Sequence, residues 1–154
     1  MARIGDARNL SFITSESVDL VISHPPYFNA VRISEISGDL SRFGDEEYND
    51  FLREMYKVFA ELRRVLKEDR VLVVVTGDVV RKIEGVTQLL PLHVDYVNML
   101  RETGFVLWNV FIYETKIRQS QGKPTMGSYP YPHKLLAQIA HNYVLIFRKH
   151  SVGH

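Results

Sequence analysis

The sequence predicts an α/β fold, a Rossmann-like sheet that is mostly parallel and closes with a C-terminal antiparallel strand pair. Three observations carry this expectation. Strand-like and helix-like segments alternate along the chain, which is the pattern of βαβ units. Arg70 to Thr76 (RVLVVVT) is a continuous β-branched run, as expected of a strand buried on both faces of a parallel sheet. Phe105 to Glu114 and Asn142 to Arg148 both read as strands with only a loop between them, so they should pair antiparallel.

In chain order, residues 2 to 5 (ARIG) read as a short strand ending at Asp6. Val18 to Ser23 (VDLVIS) is a stronger strand. It runs into His24-Pro25-Pro26-Tyr27, where a double proline must end the ladder. Residues 28 to 45 mix Gly, Ser, Asn and Asp and read as a long loop, a length that usually carries function or mobility. Asp45 is a candidate N-cap for the clearest helix, with Glu46 and Glu47 in its first turn. Tyr48, Phe51, Leu52, Met55, Phe59, Leu62 and Leu66 recur at helical spacing and make one apolar stripe. Lys67-Glu68-Asp69 should end that helix, and Gly77-Asp78 should end the strand that follows. A second helix is expected from about Leu89 to Thr103, with Pro91 in its first turn and Gly104 as its cap. Residues 115 to 133 form another long loop, with at most a short helical turn near Leu135 to Ile139. The strands near 18–23 and 70–76 should be parallel neighbours. Ligands of open α/β sheets sit beyond the carboxyl ends of the strands. Here those ends are Asp6, His24 to Tyr27 and Thr76-Gly77-Asp78.

Composition narrows the function. The chain has 154 residues, 45% hydrophobic and 24% charged, which fits one globular domain over residues 1–154. The longest apolar runs, such as Val71 to Val75, are too short to span a bilayer. MARIGDAR has no apolar core after its first charges, so a secretory leader is not expected and cytoplasmic residence is. The absence of cysteine excludes disulfide scaffolds and thiolate nucleophiles, and the net charge of +1 does not by itself announce a nucleic-acid partner. Residues 115–150 nevertheless hold six Lys/Arg and no Asp/Glu, which makes Lys116, Arg118 and Lys123 candidates for phosphate contacts. No pair of histidines has helical metal-site spacing. His93 and His141 read as packing or capping residues, and Asp78 as a strand-end turn or cap.

The segment with the most chemistry is DLVISHPPYF, residues 19 to 28. A buried strand feeding X-Pro-Pro-Tyr resembles the catalytic motif of the β-type S-adenosylmethionine-dependent DNA amino-methyltransferases, the cytosine-N4/adenine-N6 family. Gly5-Asp6-Ala7-Arg8 is similar to the element before that motif. Gly127-Ser128-Tyr129-Pro130-Tyr131-Pro132 and the strand after it resemble the end of the catalytic half in the cytosine-N4 enzymes. The resemblance covers about residues 3 to 149. It implies an incomplete Rossmann-like methyltransferase sheet and direct methyl transfer to a flipped base amine in DNA, cytosine N4 ahead of adenine N6. It further implies that the side chain at 24 and the Pro25 carbonyl accept the amine hydrogens, that Pro26 stiffens the turn, and that Tyr27 stacks on the base. Asp6 and Ser23 would then lie against the cofactor.

Two departures shape the expectation. His24 stands where the family has Asp, Asn or Ser, and only a neutral imidazole nitrogen can accept a hydrogen bond. No glycine-rich turn follows any strand, so the chain resembles the first half of an enzyme, and weak or absent cofactor binding is expected of it alone. The alternative is a non-catalytic relic, or one subunit of a split methyltransferase that needs a partner chain for the cofactor loop. Val18 to Ser23 would be left with an open edge, which predicts self-association, most simply as a homodimer.

Overall fold

The computed structural model describes residues 3–114 and 139–150. In chain order the elements are β1 (Val18–Ser23), α1 (Tyr48–Val65), β2 (Leu66–Thr76), β3 (Val79–Ile83), β4 (Val86–Leu90), α2 (Leu92–Glu102), β5 (Phe105–Glu114) and β6 (His141–Lys149). Four strands form one sheet in the order β1-β2-β6-β5, and β3 and β4 form a separate hairpin. β1 pairs parallel with β2, and β6 runs antiparallel to both β2 and β5. The expected parallel neighbours and the expected antiparallel pair are both present.

The core lies between one face of this sheet and the two helices. From α1 it takes Phe51, Met55, Val58, Phe59 and Leu62, from α2 Leu92, Tyr96 and Leu100, and from the sheet Leu72, Val74, Leu145 and Phe147. The α1 stripe read from the sequence is the buried face of that helix. Each such side chain, fully buried, contributes about 1.5–3 kcal/mol relative to exposure.

Several boundaries differ from expectation, each for a physical reason. Asp45 does not cap α1: Asp45–Glu47 is a 3-10 turn, and the Glu47 carboxylate reaches back to accept the Gly44 N–H at 2.6 Å. Lys67-Glu68-Asp69 lies at the start of β2, not at the end of the helix. There the register against β1 shifts between Val18 and Leu20, and Asp69 takes φ +58°. Lys67 and Arg70 close the shift by donating to Asp19 at 2.9 and 3.3 Å. The second helix begins at Leu92 because residues 86–90 are strand β4. Glu84 and Gly85, at φ +48° and +79°, form the tight turn of that hairpin. Gly104 does end α2, at φ +87°.

The expected strand at residues 2 to 5 is absent from the described part, residues 3–5. Ile4 stands in solvent, and charged side chains hold this N-terminal arm where a ladder was expected. Arg64 on α1 donates to the Ile13 and Leu10 carbonyls at 3.0 and 2.8 Å. Glu61 accepts the Leu10 N–H at 2.7 Å.

Candidate active site

Because β1 and β2 are parallel, their carboxyl ends lie side by side, and antiparallel β6 brings its first residues to the same edge. Three short segments meet there: residues 24–27, 76–78 and 141–143.

The 24–27 turn is anchored from behind. Phe28 takes φ +52°, an unfavourable conformation for a bulky side chain, and is completely buried. Its ring packs edge-on against Tyr48 and Phe51 at 5.3 and 5.2 Å. Pro25 is buried as well. The Tyr96 hydroxyl donates to the Pro26 carbonyl at 3.3 Å. Among the described residues no hydrogen bond reaches the Pro25 carbonyl, so it keeps both lone pairs.

His24 and Tyr27 face each other, with His24 Nε2 2.9 Å from the Tyr27 hydroxyl and ring centroids 5.3 Å apart. Burial raises the Tyr27 pKa, so its hydroxyl stays protonated and can donate or accept. When Nε2–H donates to that hydroxyl, Nδ1 is left as the acceptor nitrogen; in the other tautomer Nδ1 carries the proton. Tyr27 also fixes the identity of residue 77. A Cβ on Gly77 would lie 2.9 Å from Tyr27 Cε2 and closer still to the Asn142 side-chain oxygen.

Beside this turn stands a polar group that the sequence reading placed only as caps and packing. The Asp78 side chain, 6% exposed, accepts from His93 Nδ1 at 2.7 Å and from the His93 backbone N–H at 3.2 Å. Asp78 is therefore a cap, as expected, supplied to α2 from the end of β2. The His93 ring stacks on Tyr143 at 3.9 Å, and Tyr143 meets His141 Nε2 at 3.0 Å. Burial, with the Asp78 charge second, raises the Tyr143 pKa. Tyr48 donates to Asp95 at 2.5 Å, and burial foremost drives the Tyr48 and Tyr96 hydroxyls far above their ordinary value. The site is thus lined by tyrosine O–H groups that remain protonated. His93 and Tyr143 are 50 residues apart, and no sequence spacing announces their stacking.

The other sequence candidates fall elsewhere. Ser23 is the last residue of β1 and pairs with Val74. Asp6 meets Arg8, which also reaches Glu54 at 2.8 Å and the Gly38 carbonyl at 3.0 Å. Hydrogen bonds from Arg8 hold the Asp6 carboxyl below its ordinary value. Among the described residues, no contact joins Asp6 to the His24–Tyr27 turn. Lys116, Arg118 and Lys123 lie outside the described residues, as do Tyr129 and Tyr131.

Residues 18–153 match the N6/N4 DNA methylase family. Two curated relatives are type II methyltransferases. M.MjaI of Methanocaldococcus jannaschii is 29% identical, the match taking in 94% of this chain and 54% of that protein. M.MthZI of Methanothermobacter thermautotrophicus is 31% identical, over 94% of this chain and 43% of that protein. This chain therefore spans about half the length of the curated relatives it matches. Among solved structures, a protein of Thermus thermophilus described as a DNA modification methylase, complexed with S-adenosyl-L-methionine, superposes with a TM-score of 0.69 at 29% identity. That superposition covers 98% of this chain and 56% of the other. The PvuII DNA methyltransferase, cytosine-N4-specific, gives a TM-score of 0.56 at 25% identity, over 95% of this chain and 48% of that one.

Proposed function

This chain belongs to the N6/N4 DNA methylase family, and from that premise we propose that it is the base-holding part of a DNA methyltransferase acting on an exocyclic amine, cytosine N4 ahead of adenine N6. The observation that carries the reading is the anchored His24–Tyr27 turn at the carboxyl end of β1, with the Pro25 carbonyl free to accept. A cytosine-N4-specific enzyme among the similar structures supports the choice of base. Residues 1–154 act as a single, partial methyltransferase domain.

S-adenosylmethionine, when bound, supplies a methyl group on a positively charged sulfur. The chain's own residues act on the amine. The Pro25 carbonyl accepts one amine hydrogen and His24 the other, which localises the nitrogen lone pair that ring conjugation would otherwise spread. His24 does this through Nδ1, with Nε2–H donated to Tyr27. Tyr27 offers its ring to the flipped base. Lys116, Arg118 and Lys123 serve the DNA backbone.

The described residues fit the amine side of this reaction better than the cofactor side. The Asp6 carboxylate is already committed to Arg8, leaving Ser23 as the remaining candidate from the sequence. The chain alone should therefore bind S-adenosylmethionine with a dissociation constant weaker than about 10 μM, roughly −7 kcal/mol. Calorimetry checks this, and tighter binding overturns it. A homodimer or a complementary methyltransferase subunit would complete the site; a non-catalytic relic is the alternative. Among the described residues no helix is long and apolar enough to cross a membrane, and a DNA substrate goes with a cytoplasmic setting.

Transfer of labelled methyl to DNA, with the product base identified, tests the function. N4-methylcytosine is expected from the complete assembly. His24→Asn should retain or raise activity, Pro25→Ala should lower it, and activity should fall on acidification as the imidazole is protonated. Full activity in His24→Ala would remove this histidine from the reaction.

A further inference from the structure

The uncovered face of the sheet is the largest feature that the proposed chemistry leaves unused. The register sets Leu20 beside Val71, Ile22 beside Val73, Val73 beside Ile146, Val75 beside Val144 and Val144 beside Phe111. These residues alternate with those buried under the helices, so all of them lie on the opposite face. Ile22 is 68% exposed, Trp108 62% and Phe111 52%. Arg148 shares this face, its guanidinium carbon 5.6 Å from the centre of the Trp108 ring. A sheet with a parallel pair normally has both faces covered, and an apolar surface running across four strands exceeds what soluble monomers leave bare. β1 is also an edge strand, with unpaired backbone along its outer side.

We infer that this face and the β1 edge dock the complementary half of a DNA methylase. That half would be a segment about as long as this chain, laying apolar helices across β1, β2, β6 and β5 and adding a strand beside β1. The inference rests on the functional reading above. Two observations select this occupant. The Thermus structure holds this fold within a chain of which it is 56%, so nearly as much chain again is available there to supply a cover. Four strands about 4.8 Å apart span about 14 Å, a width that two packed helices match. A second copy of this chain pairing along β1 would leave Trp108 and Phe111, three strands away, still bare.

Trp108 is the chain's single tryptophan and reports on this face directly. The probe is the portion of the Methanothermobacter relative beyond the stretch matched here, produced as a separate chain. That relative's own two halves serve as the control mixture. A one-to-one complex is expected, with Trp108 emission shifted to the blue and acrylamide quenching reduced severalfold. Joining probe and chain in one polypeptide should give the same shielding, and keeps the test decisive where free halves fail to meet. By sedimentation, Trp108→Glu and Phe111→Glu should each weaken the complex by about 30-fold or more, as for a buried aromatic anchor. Val86→Glu on the β3–β4 hairpin should not. A joined polypeptide in which acrylamide reaches Trp108 as freely as in the isolated chain overturns the inference. So does a stable two-fold dimer of this chain that shields Trp108 unaided. None of these readouts needs methyl transfer, so an assembled complex that fails to methylate DNA counts against the functional reading and leaves the interface standing.

Discussion

The two faces of the four-stranded sheet are built from the same kinds of residue and meet opposite surroundings. On one, Leu72, Val74, Leu145 and Phe147 lie beneath α1 and α2 and lose essentially all contact with water. On the other, Val71, Val73, Val75, Val144 and Ile146 remain partly exposed, while Leu20, Ile22 and Phe111 are open. The β-branched run 71–75 alternates between the two. Apolar character therefore does not determine burial here; the cover does, and both helices pack on one side. A strand sequence suited to burial on both faces is satisfied on only one.

The sharpest way to break this contrast is a matched pair of truncations. Phe147→Ala should cost about 3–5 kcal/mol of unfolding free energy, because it removes a fully buried ring and leaves a cavity. Ile22→Ala on the open face should cost about 0.5 kcal/mol or less. Urea denaturation of both variants measures the difference, and equal losses would mean that the open face is already covered in solution. At the strand ends, where the two faces meet the site, Gly77→Ala should cost about 1–3 kcal/mol by overpacking. It should also displace the Tyr27 ring, visible in near-ultraviolet circular dichroism. Tyr96→Phe sharpens the comparison on the covered side. It keeps the buried ring and deletes only the hydrogen bond to Pro26, so it should cost about 0.5–1.5 kcal/mol.

The smallest effect belongs to the N-terminal arm, which neither face holds. Hydrogen bonds from Arg8 lower the Asp6 carboxyl, those from Lys57 and then Arg8 lower Glu54, and those from Arg64 lower Glu61. Carboxylates with lowered folded values stabilise the arm above their ordinary range, and that contribution is lost as the pH falls through the folded values. These groups are close to solvent, so screening keeps the effect modest. Amide exchange of residues 6–13 should accelerate on acidification well before that of β2. Unchanged protection would show that packing holds the arm and the ion pairs do not.

Much of this was legible in advance. The α1 stripe, the parallel pairing of β1 with β2 and the antiparallel pairing of β5 with β6 all follow from local periodicity and from what lies between the strands. The β3–β4 hairpin was missed although Glu84-Gly85 lies between VVRKI and VTQLL. The expected helix start near Leu89 overran the second strand, and Pro91 fits the point where strand gives way to helix. The arm was misread because a four-residue apolar alternation resembles a strand, while Arg8 and Arg64 gain their partners only through tertiary contacts.

The site divides along the same line. The sequence by itself determined that a double-proline turn ends a strand, that Tyr27 follows it, and that a glycine and an aspartate end the neighbouring strand, because proline and glycine act through their own backbone. It also determined that the strands would be apolar on both sides. Only the tertiary structure decided that Tyr27 would lie against Gly77, that Asp78 would hold His93 from another element, and that Tyr143 would stack on that histidine. It alone decided which sheet face the helices cover. Those outcomes depend on which strands become neighbours and on which side each crossover packs, and such long-range pairings leave no periodic mark in the chain.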